Sequence, residues 1–219
     1  PVTKITLNKT SASILRNKTI TLKATAGPSS ANDKSVAWTT SNKKVATVNS
    51  KGVVKGIAKG TATITATARD GSKVKAACKI TVRQPVTKIT LNKKSPSILR
   101  NKTITLKAAA GPSSANDKTV TWTTSNKKVA TVNSKGVVKG IAKGTATITA
   151  TAKDGSKVKA VCKITVKQPV TKLTINKTKL TVKKGKTATL KVTVAPSSAN
   201  DKSLKWTTSN KNIATVTQK

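Results

Sequence analysis

The amino-acid sequence predicts an all-β protein made of tandem β-sandwich domains arranged end to end. First, the chain repeats itself every 84 residues, so that Trp38, Trp122 and Trp206 hold equivalent positions. Second, apolar and polar residues alternate with a period of two through most of each repeat, as in half-buried strands. Third, no window combines helical spacing of apolar residues with helix caps. A unit of this length with about seven short strands is sufficient for a two-sheet sandwich with its own core.

The positions of the repeats predict three domains. Pro-Val-Thr-Lys opens the chain at Pro1 and returns at Pro85 and Pro169. The expected domains are therefore residues 1–84, residues 85–168 and an incomplete third domain, 169–219. The links between them are short and contain no Gly/Ser-rich stretch, so we expect them to be stiffer than flexible linkers.

Each element of the first repeat is predicted from its local pattern. Turn formers fill 27–33, and Asp70-Gly71 is typical of a tight hairpin turn between the last two strands. The strands are expected at 2–7, 19–24, 36–40, 45–48, 52–56, 60–68 and 74–82.

The third repeat is expected to supply only the first four strands, including Trp206. Lys219 aligns with Lys51, so the later core strands have no counterpart in the given sequence. We expect Leu190, Val192 and Trp206 to face water, with strand edges unpaired. The favoured interpretation is that the chain continues in a longer protein. The alternatives are disorder, or donation of the missing strands by another protomer, which would allow self-assembly into a filament.

The charge of the chain is its most unusual compositional feature. There are 44 Lys and Arg against five acidic residues, all Asp, for a formal net charge of +39. Such a surface is either a solvated strand face or a binding surface for polyanions such as teichoic acids, acidic polysaccharides, anionic lipid headgroups or nucleic acid. Binding of this kind is expected to be nonspecific and weakened by salt. By local density, the candidate contacts are Lys43, Lys44, Lys51, Lys55, Lys59, Lys127, Lys128, Lys135, Lys139 and Lys143.

The sequence argues against catalysis and against a bound cofactor. It has no His, which excludes Ser-His and Cys-His nucleophilic arrangements. Each of the five Asp stands beside Asn or Gly in a predicted turn, where turn formation accounts for it. We expect no metal, no cofactor and no small-molecule substrate, with a weak calcium site made of backbone carbonyls left open.

The Trp and Cys residues are predicted to be structural. Trp38, Trp122 and Trp206 fall on the apolar face of a strand and are expected to pack in the core, the alternative being a surface stacking platform. Cys78 and Cys162 alternate with apolar residues of the last strand, so they are expected to be buried free thiols.

The spacing of several elements resembles the bacterial immunoglobulin-like domain, group 2. The resemblance is carried by Trp38-Thr39-Thr40-Ser41, by Val45-Ala46-Thr47-Val48, by Gly52-Val53-Val54-Lys55-Gly56 and by Gly60-Thr61-Ala62-Thr63-Ile64. It recurs from Trp122 to Ile148 and, for its first half, from Trp206 to Val216. The resemblance implies Ig-like folding and extracellular modules of bacterial surface proteins, adhesins and some phage structural proteins.

The sequence thus predicts a non-catalytic spacer or adhesive module at the bacterial cell surface. Its partners would be anionic wall polymers or ligands on host or other cell surfaces. A phage or filament component with Ig-like domains and a nonspecific polyanion or nucleic-acid binder are the alternatives. No segment has the apolar length of a transmembrane helix, and a chain that opens at a repeat boundary would not show an export signal.

Overall fold

The computed structural model describes residues 1–217, and all regular structure among them is β-strand. The predicted all-β, Ig-like fold class is confirmed. The first repeat forms nine strands. They are β1 (Lys4–Leu7), β2 (Ser11–Leu15), β3 (Thr19–Thr21), β4 (Ala24–Gly27), β5 (Val36–Thr40), β6 (Ala46–Val48), β7 (Val53–Gly56), β8 (Gly60–Ala68) and β9 (Lys75–Arg83).

The strands of the first repeat form two principal sheets and one additional pair. One sheet has the order β2-β9-β8-β5, and the other has the order β3-β7-β6. β1 pairs with β4 in antiparallel register. Within the larger sheet, β2 runs parallel to β9, whereas β8 runs antiparallel to both β9 and β5.

The core of the first repeat lies between these sheets. Its main cluster joins Ala46 and Val54 of the smaller sheet to Ile64 and Ile80 of the larger one. A second cluster packs Ile5 against the alanines near the end of β8. Residues from both sheets thus share one buried layer, as expected of a sandwich.

The first repeat has more strands than the pattern predicted. The expected strand at 19–24 is two strands, because β3 pairs with β7 whereas β4 pairs with β1. Leu22 lies at the change of sheet and is 1% exposed. The Ser11–Leu15 strand was not predicted, because its identity depends on its parallel pairing with β9.

The second repeat carries nine strands in the same order, shifted by 84 residues, except that its second strand begins two residues later, at Ser97. The strands are β10 (Lys88–Leu91), β11 (Ser97–Leu99), β12 (Thr103–Thr105), β13 (Ala108–Gly111), β14 (Val120–Thr124), β15 (Ala130–Val132), β16 (Val137–Gly140), β17 (Gly144–Ala152) and β18 (Lys159–Lys167). The pairs β10–β13, β11–β18, β12–β16 and β15–β16 repeat the registers of their counterparts in the first repeat.

The third repeat has two strands among its described residues, not the four predicted. They are β19 (Lys172–Ile175) and β20 (Val192–Ala195), paired like β1 and β4. In the first repeat β5 pairs with β8 and β6 pairs with β7. No counterpart of β7 or β8 lies among the described residues of the third repeat, and the Trp206 segment is not a strand.

The exposure expected of three apolar residues in the third repeat was wrong. Leu190, Val192 and Trp206, which were expected to face water, are half-buried. Leu173 is instead 56% exposed, although its counterpart Ile5 is buried.

The chain divides into two compact units. The first comprises Pro1–Leu91, Ala108–Thr121 and Ala150–Ala160, and the second comprises Asn92–Lys107, Trp122–Thr149 and Val161–Lys219. The second repeat contributes to both units, and the division into domains at residues 84 and 168 stays a prediction.

Candidate functional site

The repeats meet through a loop whose sequence occurs three times. Residues 28–33, 112–117 and 196–201 all read Pro-Ser-Ser-Ala-Asn-Asp, and we call each of them an end loop. In each copy the Ala N–H donates to the Pro carbonyl, at 3.1, 3.0 and 3.0 Å respectively. The first loop also holds Asp33, whose Oδ1 accepts from Ser35 N at 2.8 Å. The same hydrogen-bonded turn therefore recurs in all three repeats.

The end loop of the second repeat contacts the end of the first. Gln84 N donates to Asn116 Oδ1 at 2.7 Å, and Asn116 N donates back to the Gln84 carbonyl at 3.1 Å. Lys59 Nζ donates to the Ser114 carbonyl at 3.3 Å. All of these residues lie within the first compact unit. The two repeats are thus joined by hydrogen bonds in addition to the peptide chain.

The end loop of the third repeat contacts the end of the second in the same way. Gln168 N donates to Asn200 Oδ1 at 2.6 Å, and Asn200 N donates to the Gln168 carbonyl at 2.9 Å. Lys143 Nζ donates to the Ser198 carbonyl at 2.9 Å. These residues lie within the second compact unit. The contact set of one junction is therefore reproduced at the other.

The turn between the last two strands supplies a second element of the repeat end. Asp70 accepts hydrogen bonds from Val2 N and from the Ser72 hydroxyl and N–H. These bonds, led by the Ser72 hydroxyl, lower the pKa of Asp70 to about 2. The carboxylate thereby fixes the entry of the first strand against this turn.

Asp154 has the same role in the second repeat but a different environment. Its Oδ2 accepts from Val86 N at 2.6 Å, and its Oδ1 accepts from Ser156 N at 2.9 Å. The residue is 8% exposed. Burial raises the pKa of Asp154, but the hydrogen bonds from Ser156 and Val86 outweigh burial, so the pKa is lowered overall.

The lysines predicted from local density are all exposed, but two of them differ from the others in their hydrogen bonds. Lys43 and Lys44 follow β5, Lys51 lies in the turn before β7 and Lys55 lies on β7. Lys59 and Lys143 differ, because their ammonium groups donate to the end loops described above. The remaining exposed lysines of the candidate set are Lys127, Lys128, Lys135 and Lys139, at the equivalent positions of the second repeat.

The Trp and Cys side chains lie as follows. Cys78 in β9 and Cys162 in β18 are buried free thiols, and burial raises the pKa of each. Trp38 is half-buried and packs against both core clusters of its repeat. Trp122 is half-buried as well, and its ring stands against Gly136 in the same way that the Trp38 ring stands against Gly52.

Trp206 is placed differently. It is half-buried and lines a shallow groove. The other residues lining this groove are Leu173, Ile175, Val192, Leu204 and Lys205.

The fold brings the acidic residues of a repeat to one end. Hydrogen bonds from Ser35 lower the pKa of Asp33 overall, although the charge of Asp70 lies near enough to raise that pKa slightly. Asp154 acts on Asp117 in the same way, against the hydrogen bonds from Thr119 that lower the pKa of Asp117. Their carboxylates already accept hydrogen bonds from neighbouring Ser and Thr residues. Among residues 1–217 no group of three or more His, Cys, Asp or Glu is arranged to hold a metal ion.

The residues that join the repeats were missed by sequence reasoning. Asn116 was interpreted only as a turn former, and Gln84 was assigned no role. Their partnership spans 32 residues in sequence. The one available signal was that Gln84 and Asn116 both recur, 84 residues later, as Gln168 and Asn200.

Residues 1–217 form no helix that could span a membrane.

Comparison with known proteins identifies relatives of uneven length. The chain is 35% identical over 164 residues to an uncharacterized protein of Clostridium acetobutylicum, matching 75% of this chain and 17% of that protein. It is also 35% identical over 171 residues to an Ig-like virion protein of Serratia phage KSP90, matching 76% of this chain and 66% of that protein. The chain thus spans about a sixth of the first relative and 66% of the second.

The solved structures to which this chain is similar include the following three. The C-terminal 282-residue fragment of intimin, solved with the intimin-binding domain of its translocated receptor, has a TM-score of 0.47 at 20% identity over 80% of this chain and 67% of that one. Invasin, a bacterial integrin-binding protein, has a TM-score of 0.44 at 16% identity over 78% and 39%. Domains 1–6 of the surface layer protein SbsC have a TM-score of 0.36 at 21% identity over 80% and 29%.

The family model of the bacterial Ig-like domain (group 2) matches residues 1–79, 85–162 and 169–219. These matches cover nearly the whole sequence, in the three repeats whose strands and end loops are described above. The chain belongs to the bacterial Ig-like domain (group 2) family.

Proposed function

We propose that this chain is a non-catalytic, repetitive spacer and adhesive module on the outside of a bacterial cell. The observation that carries the proposal is the tandem arrangement of family domains, joined at both junctions by the same hydrogen bonds. Repeats linked in this way hold a binding region at a distance from the structure that anchors them. The position outside the cell is supported by the resemblance of the repeats to modules of surface proteins.

The lysine surface is the candidate binding region of this module. The candidate lysines away from the junctions are exposed to solvent in both complete repeats. Lysine is a compact, strongly hydrated charge, suited to neutralising phosphate or carboxylate groups and poor at bidentate recognition. We propose that the surface associates with anionic wall polymers through their repeated charges, without recognition of a particular sequence or sugar.

The experiment for this ligand class uses purified wall teichoic acid and the full chain. One variant replaces eight candidate lysines with Gln, and a matched variant replaces eight other exposed lysines, so that both lose the same charge. The candidate set is Lys43, Lys44, Lys51, Lys55, Lys127, Lys128, Lys135 and Lys139. The control set is Lys4, Lys9, Lys23, Lys34, Lys88, Lys93, Lys102 and Lys107.

We expect the candidate variant to lose on the order of tenfold more affinity than the control variant at low salt. Affinity of the unaltered chain is expected to fall steadily as salt rises, because the Debye length is only about 8 Å at physiological ionic strength. Equal losses in the two variants would show that net charge, and not this group of lysines, attracts the polymer. Affinity that does not change with salt contradicts electrostatic binding altogether.

A structural role in a phage particle is the second candidate function. It is supported by the similarity to the Ig-like virion protein of Serratia phage KSP90. An antibody raised against the repeats distinguishes the two settings when applied to intact cells and to purified particles from the same source. Labelling of cells that carry no phage supports the surface module, and labelling confined to particles supports the virion component.

A further inference from the structure

The end loops of the three repeats have one sequence, and two of them contact the end of a preceding repeat. The second and third end loops each receive the end of the preceding repeat. The first end loop has the same six residues and the same Ala-to-Pro hydrogen bond at 3.1 Å. Within the described residues, Asn32 makes none of the hydrogen bonds that Asn116 and Asn200 make. The first end loop therefore has the same conformation-defining hydrogen bond as the other two and differs from them in its contacts with a neighbouring repeat.

The atoms that occupy an end loop define the partner it accepts. The Asn side chain accepts from the backbone N–H of a Gln, and the Asn N–H donates to the carbonyl of that Gln. A Lys ammonium donates to a Ser carbonyl of the loop. The Gln directly follows the last strand, and the Lys precedes the long strand β8 or β17. A partner therefore needs a Gln after its last strand and a Lys near the same end.

At each junction a basic residue of one repeat lies near an Asp of the next. In a chain of net charge +39, the acidic residues of each repeat gather at the end that carries the end loop. The positive charge of Arg83 lies close enough to favour the Asp154 carboxylate across the first junction. At the second junction the hydrogen bonds from Ser203 lower the pKa of Asp201, and the positive charge of Lys167 lowers it further by a smaller amount. These two attractions favour the head-to-tail order in which the end of one repeat meets the end loop of the next.

We propose that the end loop of the first repeat, residues 28–33, is a docking surface for the end of another bacterial Ig-like repeat. Asn32 would exchange two hydrogen bonds with the Gln of that repeat, and the Ser30 carbonyl would accept from its Lys. The docking requires neither the anionic ligand nor the surface location proposed above. Its consequence is that repeats of this kind adopt a defined orientation wherever one follows another.

The test adds one repeat to the full chain. A copy of residues 1–84 is fused directly before Pro1, which recreates the Gln-Pro-Val link found at Gln84-Pro85-Val86. Amide hydrogen exchange is then measured at Asn32 in the unaltered and the extended chain. We expect exchange at Asn32 to slow by roughly tenfold in the extended chain and to approach the rate at Asn116, because a new hydrogen bond protects the amide. An Asn32 rate unchanged by a folded added repeat overturns the proposal.

Two variants keep the test decisive. Protection of the strand amides in the added copy reports whether that copy has folded. If it has not, the existing junction decides, through Asn116→Ala and its matched control Asn32→Ala in the unaltered chain. We expect Asn116→Ala to speed exchange at the Gln84 amide several-fold and Asn32→Ala to leave it unchanged. Equal behaviour of the two variants overturns the proposal, since the end loop would then contribute nothing to docking.

Discussion

The first and second repeats share nearly all of their sequence and their core, yet their leading ends differ. Asp154 is buried in the second repeat, whereas its counterpart Asp70 in the first is half-buried. A Cβ at Gly155 would lie 3.8 Å from the Leu15 side chain of the preceding repeat, whereas nothing lies within 4 Å of one at Gly71. The environment of a residue in this protein therefore depends on whether a repeat precedes its own.

Truncation of equivalent core residues should cause equal losses of stability in the first two repeats. Ile64 and Ile148 are both fully buried. Ile64→Ala and Ile148→Ala should each lower the free energy of unfolding of the affected repeat by about 2–5 kcal/mol, through lost apolar burial and a cavity. Hydrogen exchange of the strand amides in each repeat measures this loss. A clear inequality between the two variants would contradict the equivalence of the cores.

Substitution of Asp154 should lower stability more than substitution of Asp70, because Asp154 is buried and Asp70 is half-buried. Asp154→Ala leaves the Val86 N–H without its acceptor at a buried site, and should cost about 1–3 kcal/mol in the free energy of unfolding. Asp70→Ala removes the equivalent bond from a carboxylate that is only half-buried, so the loss should be smaller. Urea unfolding of both variants provides the comparison, and an equal or larger loss for Asp70→Ala would be inconsistent with it.

The end-loop asparagines should differ by a smaller amount. Asn116→Ala removes two hydrogen bonds between repeats, at a site that is exposed to solvent, and should cost about 1 kcal/mol. Asn32→Ala removes no such bond and should change stability little. The difference in unfolding free energy between the two variants, measured in the full chain, gives the contribution of the junction. A difference of zero would mean that water replaces the junction bonds without loss.

Acid should lower the stability of the first two repeats by protonating Asp70 and Asp154. We expect this effect to be smaller than those of the substitutions above. The pKa of Asp70 is lowered to about 2 in the folded chain, below the unfolded value of about 3.9. The folded state therefore binds fewer protons than the unfolded state in this range, and stability is lost as pH falls from about 4 to about 2. The pKa of Asp154 is also lowered, despite the opposing effect of burial.

Urea midpoints measured across this pH range test the assignment. The combined variant Asp70→Asn with Asp154→Asn should show a smaller decline between pH 4 and pH 2 than the unaltered chain. Parallel declines would assign the acid sensitivity to the other three Asp residues.

The fold class could be predicted from the sequence because alternation is a local property. The long strand β8 and its Ala and Ile residues follow directly from Gly60 to Ala68. The strand β2 could not be predicted in this way, since Ser11 and Ser13 give a weak local signal. It exists through its parallel pairing with β9, about 68 residues away.

The candidate site was predicted less completely, for the same reason. Local density grouped Lys59 with Lys55, but only folding places the Lys59 ammonium on the Ser114 carbonyl, 55 residues further along the chain. The Asp residues were correctly placed in turns, yet the hydrogen bond from Val2 to Asp70 spans 68 residues. Contacts of this range arise from tertiary structure and leave little trace in local composition.

The most direct test of the coupling between repeats is amide hydrogen exchange in the unaltered chain at Asn32 and Asn116. The two residues have the same neighbours in sequence from Pro28 and Pro112 through Lys34 and Lys118, so their intrinsic exchange rates should be nearly equal. Only Asn116 N donates to the preceding repeat, at 3.1 Å from the Gln84 carbonyl. We expect Asn116 to exchange roughly tenfold more slowly than Asn32. Equal rates at the two amides would contradict a formed junction between the repeats.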